Sequence, residues 1–392
     1  MTDVSAPPAP PAVGSASLIE LIGSHARDAD QRARFPVENM AALRAGGYLG
    51  YLVPSEYGGE GGSLNGMVSL AKELAGACMS TALIWAMHCQ QVDCLVRHAD
   101  AALKAEVLPR IASGEIYLAS VTTGSSGGSL MSVDETLTDA PDREFLTLGR
   151  TAPVVTGGEY ADAFLVTMRE SGEHSDQGVS LVYAPRTELT IRPFGEWNPM
   201  GMRATASRGL RLEGMVRRDR LVGRPGQFRE ISHDSMIPLA HLAWSACWLG
   251  AAQKAFSGLL RQIGSTVPAD RSSPLVQERI ARIRVDLELV NAYLRRTCDE
   301  IELLRERGHS LNRPDLHIHV NTLKLAASEL TFRAVDRMVQ LAGLSVGYSA
   351  DSPLSLERVF RDLRSAALNY SNDRLWTATG VLSLIDRSVH LL

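Results

Sequence analysis

The chain has no surplus of basic charge, few cysteines, few aromatics and no long apolar run, and each shortage closes a class of function. Lysine and arginine number 40 against 44 aspartates and glutamates, for a net charge of −4. A protein that coats nucleic acid needs the opposite balance, because phosphate contacts dominate that kind of binding. The densest basic cluster, MVRRDR at Met215–Arg220, reads as a solvated turn. Five cysteines form no framework, so a reduced, cytoplasmic protein is expected. His88, Cys89, Cys94 and His98 lie close together, but their spacing fits no zinc pattern and the segment has helical periodicity. No metal site is expected there. No apolar stretch approaches the roughly 18 residues of a membrane span, so no membrane partner is expected. The opening MTDVSAPPAPPAVGSAS lacks the basic start and apolar middle of a signal peptide. It reads as a flexible Pro/Ala-rich tail over residues 1–16.

What is present falls into three zones. Over residues 17–115 apolar residues recur at helical spacing, broken by short loops such as the glycine-rich PSEYGGEGGS at Pro54–Ser63. Over residues 116–231 the period shortens. EIYLASVTT, EFLTLGR, DAFLVTM, GVSLVYAP and RGLRLEGM are β-rich runs punctuated by Gly, Pro and Asp. Over residues 232–392 long helical segments return, each long enough for a bundle helix. The expected fold is α+β and mostly α: an N-terminal helical domain, a central antiparallel β-barrel or sandwich, and a C-terminal four-helix bundle.

That order, together with four local motifs, resembles the acyl-CoA dehydrogenase superfamily of flavoproteins, over about Phe35 to Arg374. The motifs are VPSEYGGEGGS, VTGGEYADAFLVTM (Val155–Met168), MGMRATASRGLRLEGM (Met200–Met215) and LKLAASE…VQLAGLSVGY…LERVFRDLRSA. The resemblance implies a bound flavin, FAD by preference and FMN as the alternative. A flavin ring needs a hydrogen-bond partner at N5 and donors at its pyrimidine edge, where charge gathers on reduction. By resemblance Thr156 meets N5 and Val154 and Val155 flank the ring. In the loop ASVTTGSSGGSL, Thr122 and Ser129 supply groups to the flavin and its phosphates, although the acidic-proline pair and closing aspartate of the family are absent. Gln340 and Gly343 match positions that reach the diphosphate of a flavin on a neighbouring subunit, which implies a homo-oligomer, a dimer or tetramer.

The catalytic positions depart from the family. Its dehydrogenases take the α proton of an acyl thioester with a glutamate while hydride passes to N5, because so weak an acid needs a positioned carboxylate base. Gap-free counting places Tyr370 in the usual glutamate slot and Ala240 in the alternative slot. His241 takes the place of an arginine of the CoA site. A second branch, the two-component flavin monooxygenases, uses reduced flavin from a reductase and often carries a histidine where this chain has Asn369. Three residues are therefore candidates for the chemistry. His241 is a base or a buried bundle histidine, Tyr370 a proton donor, stacking group or packing residue, and Asn369 a catalytic candidate by its position alone. Two reactions stay open: oxidation of an acyl thioester carried by CoA or a carrier protein, with a substitute base and an electron acceptor, or oxygenation of a small or polyketide-like molecule with a flavin reductase as partner. A non-catalytic homologue is the third reading.

Overall fold

The computed structural model describes residues 15–124, 130–140, 144–171 and 178–391. Most of the expected tail, residues 1–14, lies outside them. Helix α1 (Ala16–Gln31) begins where the Ser15 hydroxyl accepts from the Leu18 amide, and it buries Leu18, Ile22 and Ala26 along one stripe. α2 (Val37–Ala45) follows Pro36 and stops at Gly46–Gly47. Next come α3 (Leu64–Ala77), α4 (Met79–His98) and α5 (Ala101–Ala112).

α4 is buried along nearly its whole length, so its polar side chains need partners, and several of them tie other parts of the molecule to it. The His88 Nδ1 accepts from the Leu118 amide at 3.0 Å, so its Nε2 donates to the Leu49 carbonyl at 2.9 Å. Burial pushes this imidazole down to about 4. Both nitrogens are thus spent on joining the helical domain to the first strand. Asp93 receives Arg305 in a two-point pair at 2.9 and 2.8 Å. All five cysteines are buried and free.

The central domain holds two four-stranded sheets. One has the order β1 (Leu118–Val121), β4 (Ala163–Arg169), β5 (Val179–Pro185), β8 (Leu221–Val222). The other has the order β2 (Thr138–Asp139), β3 (Phe145–Ala152), β7 (Gly209–Arg217), β6 (Leu189–Phe194). Pairing is antiparallel except between β1 and β4, which run parallel with Leu118 opposite Ala163. The antiparallel expectation is corrected at that pair. The chain leaves β1, builds β2 and β3 in the second sheet, and returns to the first as β4, a crossover that permits parallel pairing where a tight hairpin does not. The basic turn after β7 is only partly solvated. Arg217 pairs with Asp219, but Arg220 is buried, bonded to Glu106 at 2.7 Å with its guanidinium over the Tyr183 ring.

The helical bundle comprises α7 (Ile237–Gln262), α8 (Pro274–Glu306) and α9 (Pro314–Val346), with α11 (Asn372–Ile385) packed on α9. A short α6 (Phe228–Ile231) and a π-helical turn over Ser232–Met236 lead into α7. α9 breaks at Gly343, which takes φ 71° and ψ −174°, a conformation that side-chain-bearing residues avoid. α10 (Leu356–Leu363) bridges the bundle to the β domain.

Candidate functional site

The site begins at the turn after β3. Gly157 has φ 60°, and a Cβ there would sit 2.5 Å from the Tyr117 hydroxyl. Only glycine fits both the backbone and the space. The Tyr117 hydroxyl in turn donates to the Thr156 carbonyl at 3.2 Å. This holds the Thr156 side chain at the wall of a cleft of about 520 Å³.

The opposite lip of the turn is the Met200–Ser207 loop. Gly157 N donates to the Thr205 carbonyl at 2.9 Å, and Val155 N to the Arg208 carbonyl at 3.2 Å. Thr205, Ser207 and Thr156 form a run of hydroxyls, with separations of 2.8 and 3.1 Å, and Ser207 donates to Thr156. With Ser207 as donor, the Thr156 proton is free for an acceptor in the cleft. Two stretches far apart in sequence thus converge on a single hydroxyl.

The loop is held under strain. Met202 and Ala206 have φ 54° and 43°, values that non-glycine residues adopt where surrounding contacts impose them. α10 holds the Met202 end of the loop. Arg361 donates to the Met200 carbonyl at 2.9 Å and also binds Asp30. The Asp362 carboxylate accepts from Met202 N at 2.5 Å. Burial pushes the Asp362 carboxyl up to about 7, against the opposing pull of the Met202 amide. Gly201 passes so close to α10 that a Cβ would stand 2.1 Å from the Arg361 carbonyl oxygen.

The remaining walls are apolar or aromatic. Leu83 and Met87 come from α4, Trp197 from the β6–β7 connection, and Trp244 from α7. Thr122 and Ser120 face the cleft from the end of β1, their hydroxyls 3.3 Å apart. Asn369 and Tyr370 close it from the segment before α11. Tyr370 has φ 48°, and its carbonyl accepts from Lys324 Nζ at 3.2 Å. Lys324 is fully buried and also bonds Asn372 Oδ1 at 2.6 Å. Burial lowers its ammonium to about 8. His241 lines a small recess behind Trp244 and Tyr370. It is 2% exposed, and its Nδ1 lies 3.2 Å from the Val320 carbonyl. Burial pushes its imidazole down to about 3, with Lys324 adding to the fall.

Of the sequence-derived residues, Thr122, Val154, Thr156, Asn369 and Tyr370 meet in this cleft, with His241 in the recess behind it. Val155 points the other way and is 1% exposed, in the core. Alternation along extended backbone sends Val154 and Val155 to opposite faces. Gln340 is exposed, with its amide on Asp336, and Gly343 is exposed beside it; neither lines the cleft. Ser129 lies outside the described residues. Trp197, Trp244, Ser207, Asp362 and Lys324 were not singled out from the sequence. The motif signal extended to Ser207 and Asp362, but their partners Thr156 and Met202 are distant in the chain. Among the described lining residues of the cleft there is no carboxylate. A cleft of this size, with hydroxyls on two sides and aromatic walls, accommodates a planar heterocycle such as an isoalloxazine.

Residues 18–115 match the model of the acyl-CoA dehydrogenase N-terminal domain, and residues 242–373 that of the acyl-CoA dehydrogenase C-terminal domain. The chain belongs to the acyl-CoA dehydrogenase family. Its relatives carry differing names. A probable acyl-CoA dehydrogenase, fadE25 of Mycobacterium leprae, is 26% identical over 356 residues, covering 88% of this chain and 86% of that one. The amino sugar nitrososynthase DnmZ of Streptomyces peucetius is 25% identical over 359 residues, covering 87% and 84%. FMN-bound TdsC from Paenibacillus sp. A11-2 superimposes with a TM-score of 0.84 at 21% identity, covering 96% of each chain. That protein is a dibenzothiophene monooxygenase. At this identity the last likeness concerns the fold. Among the described residues no helix is long and apolar enough to cross a membrane.

Proposed function

We propose that this chain is a flavin-dependent monooxygenase of the acyl-CoA dehydrogenase family, working with reduced flavin supplied by a reductase, rather than a thioester dehydrogenase. The observation that carries the reading is the missing carboxylate. The titratable groups lining the cleft, among the described residues, are Arg361, Arg364 and Tyr370. His241, the remaining candidate base, is desolvated to about 3, far below the near-neutral value at which a general base works best. Its Nδ1 proton goes to the Val320 carbonyl, so Nε2 carries the free lone pair, and burial makes that nitrogen a weak acceptor for an α proton.

A bound flavin, FAD or FMN, supplies the electrons that activate dioxygen and deliver one oxygen atom to the substrate. The chain's own part is to bind, orient and keep dry. Thr156, with its hydroxyl proton freed by Ser207, and Thr122 would hold the ring by its polar edges, with Val154 against its face. Leu83, Met87 and Trp244 exclude water from the space over it. Gln340 and Gly343, exposed at the end of α9, would serve a neighbouring copy's diphosphate in a homo-oligomer. The names of DnmZ and TdsC are consistent with oxygenating chemistry on this scaffold.

The test is anaerobic titration. Photoreduced FMN or FAD is expected to bind at least about tenfold more tightly than the oxidised form, and butyryl-CoA is expected to leave the oxidised flavin–protein complex yellow. Prompt bleaching by the thioester would overturn the reading in favour of a dehydrogenase. Failure to bind flavin in either state would overturn both.

A further inference from the structure

Three cavities meet at one side chain. The cleft of about 520 Å³ and the recess of about 60 Å³ share Met87, Thr122 and Trp244 in their walls and adjoin along them. A third space, a chamber of about 380 Å³, lies beyond Tyr370. Among the described lining residues, Tyr370 alone borders both the chamber and the cleft. The chamber is framed by the first turns of α7 and α9 and by α11, and most of its lining is aliphatic: Pro238, Leu316, Val320, Leu375 and Leu382. A single half-buried ring therefore divides two spaces that an apolar chain would otherwise span.

The backbone at this position does not call for a ring. Tyr370 has φ 48°, a value at which glycine is unstrained and asparagine is tolerated, whereas a large side chain is disfavoured. The conformation is held from both sides. The Tyr370 carbonyl accepts from Lys324 Nζ at 3.2 Å, and the same ammonium bonds Asn372 Oδ1 at 2.6 Å. The Asn372 amide donates to the Ala367 carbonyl at 3.1 Å. A tyrosine at this backbone angle is explained by its ring and not by the turn it sits in. The ring extends a row of aromatic side chains. Its centroid lies 6.2 Å from that of His241, His241 lies 5.9 Å from Trp244, and Trp244 lies 6.4 Å from Trp248. The row forms the wall at which the cleft and the recess end.

We infer that Tyr370 sets the length of the molecule that fits over the flavin. The substrate is then a compact one that ends at this ring, and a molecule with an extended apolar chain is turned away although an apolar chamber lies directly behind. A flavin against Thr156 and Val154 leaves the side of the cleft walled by Trp244 and Tyr370, with the recess, for a second molecule. A chain pointing onward from there meets the tyrosine ring. The inference rests on the proposed flavin site and adds a limit on the substrate.

The test uses the full-length protein loaded with whichever of FMN or FAD it binds, and two phenols, 4-methylphenol and 4-heptylphenol. A phenol stacked on an oxidised flavin gives a long-wavelength absorbance band, so the titration reports molecules lying against the flavin and not those held in the chamber alone. In wild type the six extra methylenes find no apolar room, and the longer phenol is expected to bind within about threefold of the shorter one. Tyr370→Gly removes the ring at a φ that glycine accepts, and Tyr370→Asn repeats the removal with a short side chain that also tolerates it. In both, the ratio of affinities is expected to shift by about tenfold or more toward 4-heptylphenol, since full burial of six methylenes would give about a thousandfold. Tyr370→Phe keeps the ring and is expected to match wild type. Ala378→Trp, from the exposed wall of the chamber on α11, fills that space. It is expected to cancel the gain in the Tyr370→Gly background while leaving 4-methylphenol binding unchanged. A smaller shift in both ring-removal variants, the full shift in Tyr370→Phe, a gain that survives Ala378→Trp, or no phenol band in any of these proteins overturns the inference and leaves the flavin site standing. Failure of wild type to bind flavin overturns both.

Discussion

Asp362→Asn provides a quantitative test of how α10 holds the cleft loop. The Asp362 carboxylate accepts from Met202 N at 2.5 Å, and burial raises its pKa from 3.8 to about 7. Below pH 3.8 the group is protonated in the folded and the unfolded chain and contributes no pH dependence. As pH rises the unfolded chain ionises first, while the folded chain keeps the proton until about 7. Stability from this group is therefore lost progressively across that window. At 1.36 kcal/mol per unit, the loss is about 1.5 kcal/mol at pH 5 and about 4 kcal/mol at pH 8. An asparagine keeps an acceptor for Met202 N and cannot ionise. Urea denaturation of both proteins at pH 5 and pH 8 should show the variant gaining about 2.5 kcal/mol on wild type between the two. A stability difference that stays constant, within about 0.5 kcal/mol, would mean that Asp362 does not carry its proton to neutrality, and the reasoning about its burial would fail.

Two further perturbations test neighbouring links. Gly201→Ala puts a methyl group 2.1 Å from the Arg361 carbonyl oxygen, so the loop or α10 must move. A loss of about 1–3 kcal/mol in stability is expected, together with weaker flavin binding because Thr205 and Ser207 shift with the loop; unchanged values for both would contradict the clamp. Arg305→Met leaves buried Asp93 without its two-point partner and frees the Asp234 carbonyl. The expected cost is about 3–5 kcal/mol, measured by urea denaturation at neutral pH, and a loss below about 1 kcal/mol would show that solvent reaches the pair.

The three-part architecture was legible in the sequence because it rests on local periodicity: apolar stripes at helical spacing up to Ala112 and again from Phe228, and short β-branched runs between Leu118 and Val222. The identity of Thr156 as a wall residue was legible from its motif. Other features were misread for local reasons. Val155 follows Val154 in the same motif, but backbone alternation sends it into the core. Arg220 stands in a basic run that reads as solvated, yet it is buried against Glu106 and Tyr183.

What the sequence by itself determined is the class of fold and, through its motifs, the family, since these follow from residue order and neighbour spacing. Only the tertiary structure decided which hydroxyls converge on Thr156, that His241 is dry enough to lose its basicity, and that Tyr370 stands between the cleft and the chamber beyond it. The reason is physical. Desolvation and hydrogen-bond partnership depend on what surrounds a group in three dimensions, and those surroundings are contributed by segments that periodicity along the chain does not bring together.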